Sequence, residues 1–130
     1  MIHVKIVTPS GLYHTFEASK IHACTAYGEC TLLPNHMPIV AMLEISKLTL
    51  TVDENEKDFA ISSGILHLND NQAYILVETI EGKEEIDLER AKRSAERARK
   101  RLEKKDANTS IRRAEVSLQR ALNRINIKNS

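Results

Sequence analysis

Arginine is missing from the first eighty-nine residues, tryptophan is missing altogether, and glycine occurs only four times in 130 positions. Each scarcity removes a class of function. Four scattered glycines cannot assemble the Gly-rich loop that cradles a phosphate for transfer, and the chain contains no G-x-x-x-x-G-K-[ST], G-x-S-x-G or H-E-x-x-H pattern. Catalysis therefore finds no support, and a nucleotide bound here would be an effector. The two cysteines, Cys24 and Cys30, lie close together in sequence, which predicts reduced thiols without a disulfide framework. No window approaches the roughly 18 consecutive apolar residues of a membrane helix. The opening "MIHVKIVTPSG" also lacks the basic and long apolar regions of a signal peptide, so a cytosolic chain without membrane insertion is predicted. With 42% apolar residues but only 4% aromatic, the core should be modest and aliphatic, enough for one small domain plus an appendage.

Charge is present but unevenly spread. The net value of +1 conceals two lobes: up to residue 80 there are four lysines against nine acids, a balance of −5, and beyond it fifteen Lys and Arg against nine acids, a balance of +6. Lobes of opposite sign predict different partners.

From residue 2 to about 80 the pattern has period two. "HVKIVT" puts Val4 and Ile6 on one side, "SKLTLTV" alternates at Leu48, Leu50 and Val52, and "AYILVET" is a β-rich run. Turn chemistry recurs at "TPSG", "AYGE", "LPNHMP", "DENEK", "SSG" and "LNDNQ". This rhythm predicts an antiparallel sandwich or flattened barrel of eight to ten short strands over residues 1–82, with Pro34 and Pro38 at strand edges or in a connection.

After Gly82 the period changes, and residues 83–130 read as a two-helix antiparallel hairpin, giving an α+β chain overall. Ala91, Ala95, Ala98 and Leu102 form one narrow stripe, and "KKDANTS" breaks the helix, with Asp106, Asn108, Thr109 and Ser110 offering stop and N-cap chemistry. A second helix carries Ile111, Ala114, Leu118, Ala121, Leu122 and Ile125. An alanine stripe contributes little, at about 0.8 kcal/mol per buried CH₂-sized group. Such a hairpin is marginal alone and must dock on the first lobe or on another protein.

The arginines begin here: Arg90, then Arg93, Arg97, Arg99 and Arg101, with Asp87 at the head of the helix. Arg90, Arg97 and Arg101 fall within about 40° of one another, roughly 100° from the alanine stripe, with Asp87 beside them. Arg113, Arg120 and Arg124 share a face on the second helix. These two basic rails read either as a solvated surface with intra-helical pairs or as an anion site, since guanidinium forks chelate phosphate and carboxylate oxygens. The interspersed Glu89, Glu96, Glu103 and Glu115, and the absence of aromatics in the hairpin, argue against nucleic acid. A free-standing adaptor whose basic hairpin docks on an acidic protein or nucleic acid is the alternative reading.

A zinc reading of His22, Cys24, Cys30 and His36 lacks the tight C-x₂₋₄-C clamp, so no metal is expected. Ile39, Val40, Met42 and Leu43 follow the proline-rich connection, and the flexible Met37 and Met42 lie in the same segment, as core or as a contact face.

The stretches "IDLERA", "SAERARKRL" and "RRAEVSLQRALNRINI" resemble the C-terminal hairpin of the epsilon subunit of bacterial rotary ATP synthases. That family's Ile/Leu-Asp-x-x-Arg-Ala motif stands here as Ile86, Asp87, Arg90 and Ala91. The first lobe agrees through "VKIVTPSG", "GECTLLPNHMPIVAML" and "FAISSGILHLNDNQAYILV", so the resemblance runs through essentially the whole chain. It implies a non-catalytic central-stalk subunit of the proton-translocating complex, peripheral on the cytoplasmic side of the bacterial membrane. Its sandwich would sit on the gamma subunit and the c-subunit ring, with His36, Met37, Ile39 and Met42 as partner contacts. Its helices would restrain ATP hydrolysis when extended along gamma towards the alpha and beta subunits. In some members the folded hairpin binds ATP as a regulatory ligand, and the matching positions here are Glu81, Asp87, Arg90, Arg97, Arg120 and Arg124. Glu81 and Asp87 would accept from an adenine amino group or ribose hydroxyl, and the arginines would neutralise the phosphates. The chain departs from the family pattern at Cys30-Thr31, where Leu-Gly is usual, and at Asn35, where Gly is common before the histidine. Asn tolerates left-handed backbone, so the turn is expected to survive.

Overall fold

The computed structural model describes residues 1–104 and 111–129, and the chain separates into two compact units, Met1–Gly82 and Lys83–Ser130. The expected helix break at "KKDANTS" lies mostly outside the described residues.

Ten strands make up the first unit: β1 (Ile2–Thr8), β2 (Gly11–Ala18), β3 (Lys20–Thr25), β4 (Gly28–Leu32), β5 (Ile39–Leu43), β6 (Ser46–Val52), β7 (Asn55–Ile61), β8 (Gly64–Asn69), β9 (Gln72–Val77) and β10 (Ile80–Gly82). They form one sheet in the order β10-β7-β6-β3-β5-β8-β9-β1-β2, with β4 attached to β3. Every pairing is antiparallel except β1 with β9, which is parallel. The period-two pattern turns one side of each strand inward: Ile2, Val4 and Ile6 on β1 meet Ile21, Leu48, Leu50, Leu66, Leu68 and Ile75 in a single aliphatic core. Three of the five Phe and Tyr rings gather at its margin, where Tyr13 and Phe16 pack on Phe59 with ring centroids 6.3 and 5.6 Å away.

Turns are set by backbone sign. Asp53 and Glu54, and again Asp70 and Asn71, are consecutive positive-φ residues, the geometry that matches two-residue hairpin loops to strand twist. Asn35 has φ 66°, as the departure from glycine at that position anticipated. It is held there reciprocally: its N–H donates to Asn71 Oδ1 at 2.7 Å, and Asn71 Nδ2 donates to Asn35 Oδ1 at 3.1 Å. That pair ties the β4–β5 connection to the β8–β9 turn. Gly64 is required for another reason: a Cβ there would stand 2.1 Å from the Leu76 carbonyl oxygen. Two residues earlier Ser62 is buried, its Oγ accepting the Thr79 N–H at 2.8 Å.

The second unit starts with a 3-10 turn (Lys83–Glu85), followed by α1 (Leu88–Lys104) and α2 (Ile111–Asn129). The helices pack on each other. Lys128 Nζ, near the end of α2, donates to the Lys83 carbonyl just before α1 at 3.2 Å, so they run antiparallel. On α1 Ala91, Ala95 and Ala98 are buried as the stripe predicted; on α2 Ala114 and Ala121 are buried while Leu118, Leu122 and Ile125 are only half so. Ile111, expected on the apolar face, is exposed, and Ile127, off that stripe, is buried.

Candidate functional site in the arginine-lined hairpin

Asp87 is the N-cap of α1. Its Oδ1 accepts the Arg90 N–H at 3.1 Å, which satisfies one of the donors a helix start leaves open, and its carbonyl accepts the Ala91 N–H at 3.0 Å as the first intrahelical bond. The aspartate thus has a local structural reason, though the bond uses only the backbone of Arg90 and not its guanidinium, and the carboxylate also sits where the helix dipole favours a negative charge. Its side chain remains exposed, with acceptor capacity beyond the one cap bond.

Arg90 and Arg97 are exposed on α1, two turns apart, and Arg97 Nη2 donates to Ser94 Oγ at 3.2 Å. Arg120 and Arg124 lie one turn apart on α2 and are half-buried, with the Nε of Arg120 shielded from solvent. Five of the six predicted ligands, Asp87, Arg90, Arg97, Arg120 and Arg124, are therefore in the hairpin. The sixth, Glu81, is half-buried on β10 of the first unit, opposite Ala60 of β7. Shielded guanidiniums are worth more to an anion than exposed ones, because Coulomb attraction grows as water is removed. The α1 pair is the accessible one and the α2 pair the more enclosed.

The predicted partner contacts divide. Met37 (73% exposed) and Met42 (68%) point outward, whereas Ile39 is half-buried and packs against the core, because strand alternation on β5 sends Ile39 and Leu43 inward and Val40 and Met42 outward. Register then assembles a face that sequence reasoning did not foresee. Met42 pairs with Ile65, Ile65 with Leu76, and Leu76 with Val7, so four strands place apolar side chains in one outward row, bordered by Pro9 and Glu78. Only the "SSG" turn signalled it, since Gly64 lets β8 approach β9 there. His36 sits in the connection with its Nδ1 donating to the Met37 carbonyl at 2.6 Å, which fixes the loop tip.

The metal-capable residues are dispersed. Cys30 lies opposite Ala23 and packs on the core, while His22 shares its strand face with Cys24 and bonds Thr31 Oγ1 at 2.8 Å; among the described residues no three such side chains converge. Burial, with a smaller push from Cys24, raises the Cys30 thiol above its usual range, which makes it a poor nucleophile at neutral pH.

Comparison with known proteins places this geometry. Residues 1–83 match the beta-sandwich domain of the ATP synthase Delta/Epsilon chain, and residues 84–129 match its long alpha-helix domain. The chain is 40% identical over 131 residues to the ATP synthase epsilon chain of Ligilactobacillus salivarius (strain UCC118), covering 98% of this chain and 94% of that one. It is 43% identical over 123 residues to the epsilon chain of Clostridium novyi (strain NT), covering 94% and 93%. A chain in the structure of the Euglena gracilis mitochondrial ATP synthase OSCP/F1/c-ring assembly superposes with a TM-score of 0.79 at 25% identity, over 91% of this chain and 75% of that one. A capped, alanine-seamed hairpin behind a ten-stranded sandwich, matched in order from end to end, puts this chain in the ATP synthase delta/epsilon family, among the epsilon chains of bacteria.

Proposed function

We propose that this non-catalytic rotor subunit of the ATP synthase is also a regulator, in which the sandwich is the fixed part and the hairpin the movable one. The outward row Val7, Met42, Ile65 and Leu76 supplies an apolar face for the gamma subunit, larger than the scattered apolar residues a monomer usually exposes. The loop tip at His36 and Met37, held by the Asn35–Asn71 bridge, faces the c-subunit ring. Such contacts make the subunit peripheral to the membrane, and no described helix is long and apolar enough to cross it.

Regulation is proposed from one observation above the rest: the buried seam of the hairpin is built from Ala91, Ala95, Ala98, Ala114 and Ala121. Alanine contributes so little burial that the folded hairpin and an opened form, extended towards alpha and beta, differ by a small free energy. ATP, held in the hairpin through Asp87, Arg90, Arg97, Arg120 and Arg124, shifts that balance by its difference in affinity for the two forms, without a metal being required. Hydrolysis is restrained when the hairpin opens and released when ATP closes it.

Titration calorimetry of the full chain with ATP tests the site. Arg90→Ala and Arg120→Ala are each expected to weaken binding by more than about tenfold, about 1.4 kcal/mol, with the fold unchanged by circular dichroism. Unaltered affinity in both variants would remove the nucleotide from the scheme.

A further inference from the structure

The two helices carry one pattern twice. Arg90-Ala91-x-x-Ser94-x-x-Arg97-Ala98-x-x-Arg101-Leu102 on α1 returns twenty-three positions later as Arg113-Ala114-x-x-Ser117-x-x-Arg120-Ala121-x-x-Arg124-Ile125 on α2. With the buried alanines taken as the line facing the partner helix, the arginines lie about 100° to one side and the serines about 60° to that same side, at 100° per residue. Antiparallel helices with matching wheels are related by a twofold axis perpendicular to the plane of the hairpin. Such an axis leaves both flanking rows on one face, so the arginine rows form the two banks of a single groove.

On these wheels the serines fall between the alanine seam and the arginine rows. The buried spans 91–98 and 114–121 coincide when Ala91 is level with Ala121, and this register brings Ser94 to within a residue of the level of Ser117. Both are half-buried, and Ser94 Oγ already accepts from Arg97 Nη2 at 3.2 Å, so hydroxyl and guanidinium converge on one point. Packing does not account for them. A small residue is wanted beside the seam, but alanine fills that need with better helix propensity and is used at Ala91, Ala95, Ala98, Ala114 and Ala121. What serine adds is a rotatable O–H donor beside the arginine rows.

We propose that Ser94 and Ser117 are ligand-binding residues whose hydroxyls donate, one from each helix, to an anion carrying two or more linked phosphoryl groups laid along the groove between the arginine rows. The arginines supply charge, while the paired hydroxyls fix where a phosphoryl chain lies between the banks. The proposal rests on reading the rows as an anion site, but the nucleoside is not needed for it.

Calorimetric titration of the full chain with ATP and, separately, with inorganic tripolyphosphate tests this, using the wild type, Ser94→Ala, Ser117→Ala and the double variant. Each single change is expected to weaken both ligands by about tenfold, the scale of one lost hydrogen bond to a charged group, and the double change by more. Helix content and thermal midpoint should hold or rise, since alanine suits a helix better; a purely structural serine would show the opposite. If the double variant binds both ligands as the wild type does, the serine assignment is wrong while the nucleotide reading stands. If the wild type binds tripolyphosphate but not ATP, and the double variant loses that binding, the serines stand and the nucleotide reading falls. A wild type that binds neither overturns both.

Discussion

The sandwich and the hairpin differ in what they bury. In the sandwich the fully enclosed side chains include Ile2, Ile6, Ile21, Leu48, Leu50 and Leu68. In the hairpin unit, among the described residues, five of the seven buried apolar side chains are alanine, the others being Ile86 and Ile127. An isoleucine or leucine contributes four side-chain carbons to its core where alanine contributes one, and free energy follows that area. The same chain therefore holds one unit with a large aliphatic core and one joined by a thin alanine seam. A regulatory arm needs to be the second kind, because elements that move are drawn from the least stable parts of a structure.

The largest effect that would sharpen the contrast is a deletion in the sandwich. Leu50→Ala should cost about 2–5 kcal/mol, the range for truncating an enclosed leucine, read as a lowered urea midpoint for the sandwich. A loss no greater than that of a surface change would mean that the first unit is not the rigid partner.

Next comes the exposed apolar row. Met42→Asp changes the outward centre of β5, where the side chain is mostly in water, so stability should move by no more than about 0.5 kcal/mol. Binding should suffer far more: a charge placed in the middle of an apolar contact is expected to cost about 2 kcal/mol or more, as at an interface hot spot, and co-purification with gamma should be lost. Retained binding would show that gamma uses another face.

How much of this could be read from sequence depended on whether a feature is local. Period-two runs and their turns announced the strands, because alternation is written into consecutive residues. The alanine stripe announced the seam of α1 in the same way. Residues defined by register were hidden: Ile65, Leu76 and Val7 join Met42 in a row only because β5, β8, β9 and β1 happen to be neighbours. Ile39 turns towards the core for the complementary reason, since a segment read as a unit is split by the pleat into inward and outward residues. Ile127 lies off the apolar stripe of α2, so the period of that stripe does not mark it as buried. Gly64 was visible as "SSG", but the carbonyl it must admit, that of Leu76, is twelve residues away. The proposed ligand set comes from resemblance alone, and the proposed serine pair from the repeat shared by the two helices together with the burial of its alanines.

The smallest of these effects separates two roles of a single residue. Asp87 caps α1 through the Arg90 N–H and, in the proposed site, also accepts from the nucleotide. Asp87→Ala removes both, and the cap alone should cost about 0.5–2 kcal/mol of helix stability. Asp87→Asn keeps a capping oxygen and removes only the charge. If Asp87 matters to the hairpin as a cap, exchange protection of the α1 amides should fall in the alanine variant and be restored in the asparagine one. If it matters as an acceptor, ATP affinity should fall in both, because asparagine replaces one of the carboxylate oxygens with a donor. Protection and affinity that move together in both variants would mean that cap and ligand are one equilibrium: the nucleotide then acts by stabilising the first turn of α1. Affinity that follows charge while protection follows capping would instead make the turn a prebuilt platform, and the arginines of α2 would become the part of the hairpin that senses the ligand.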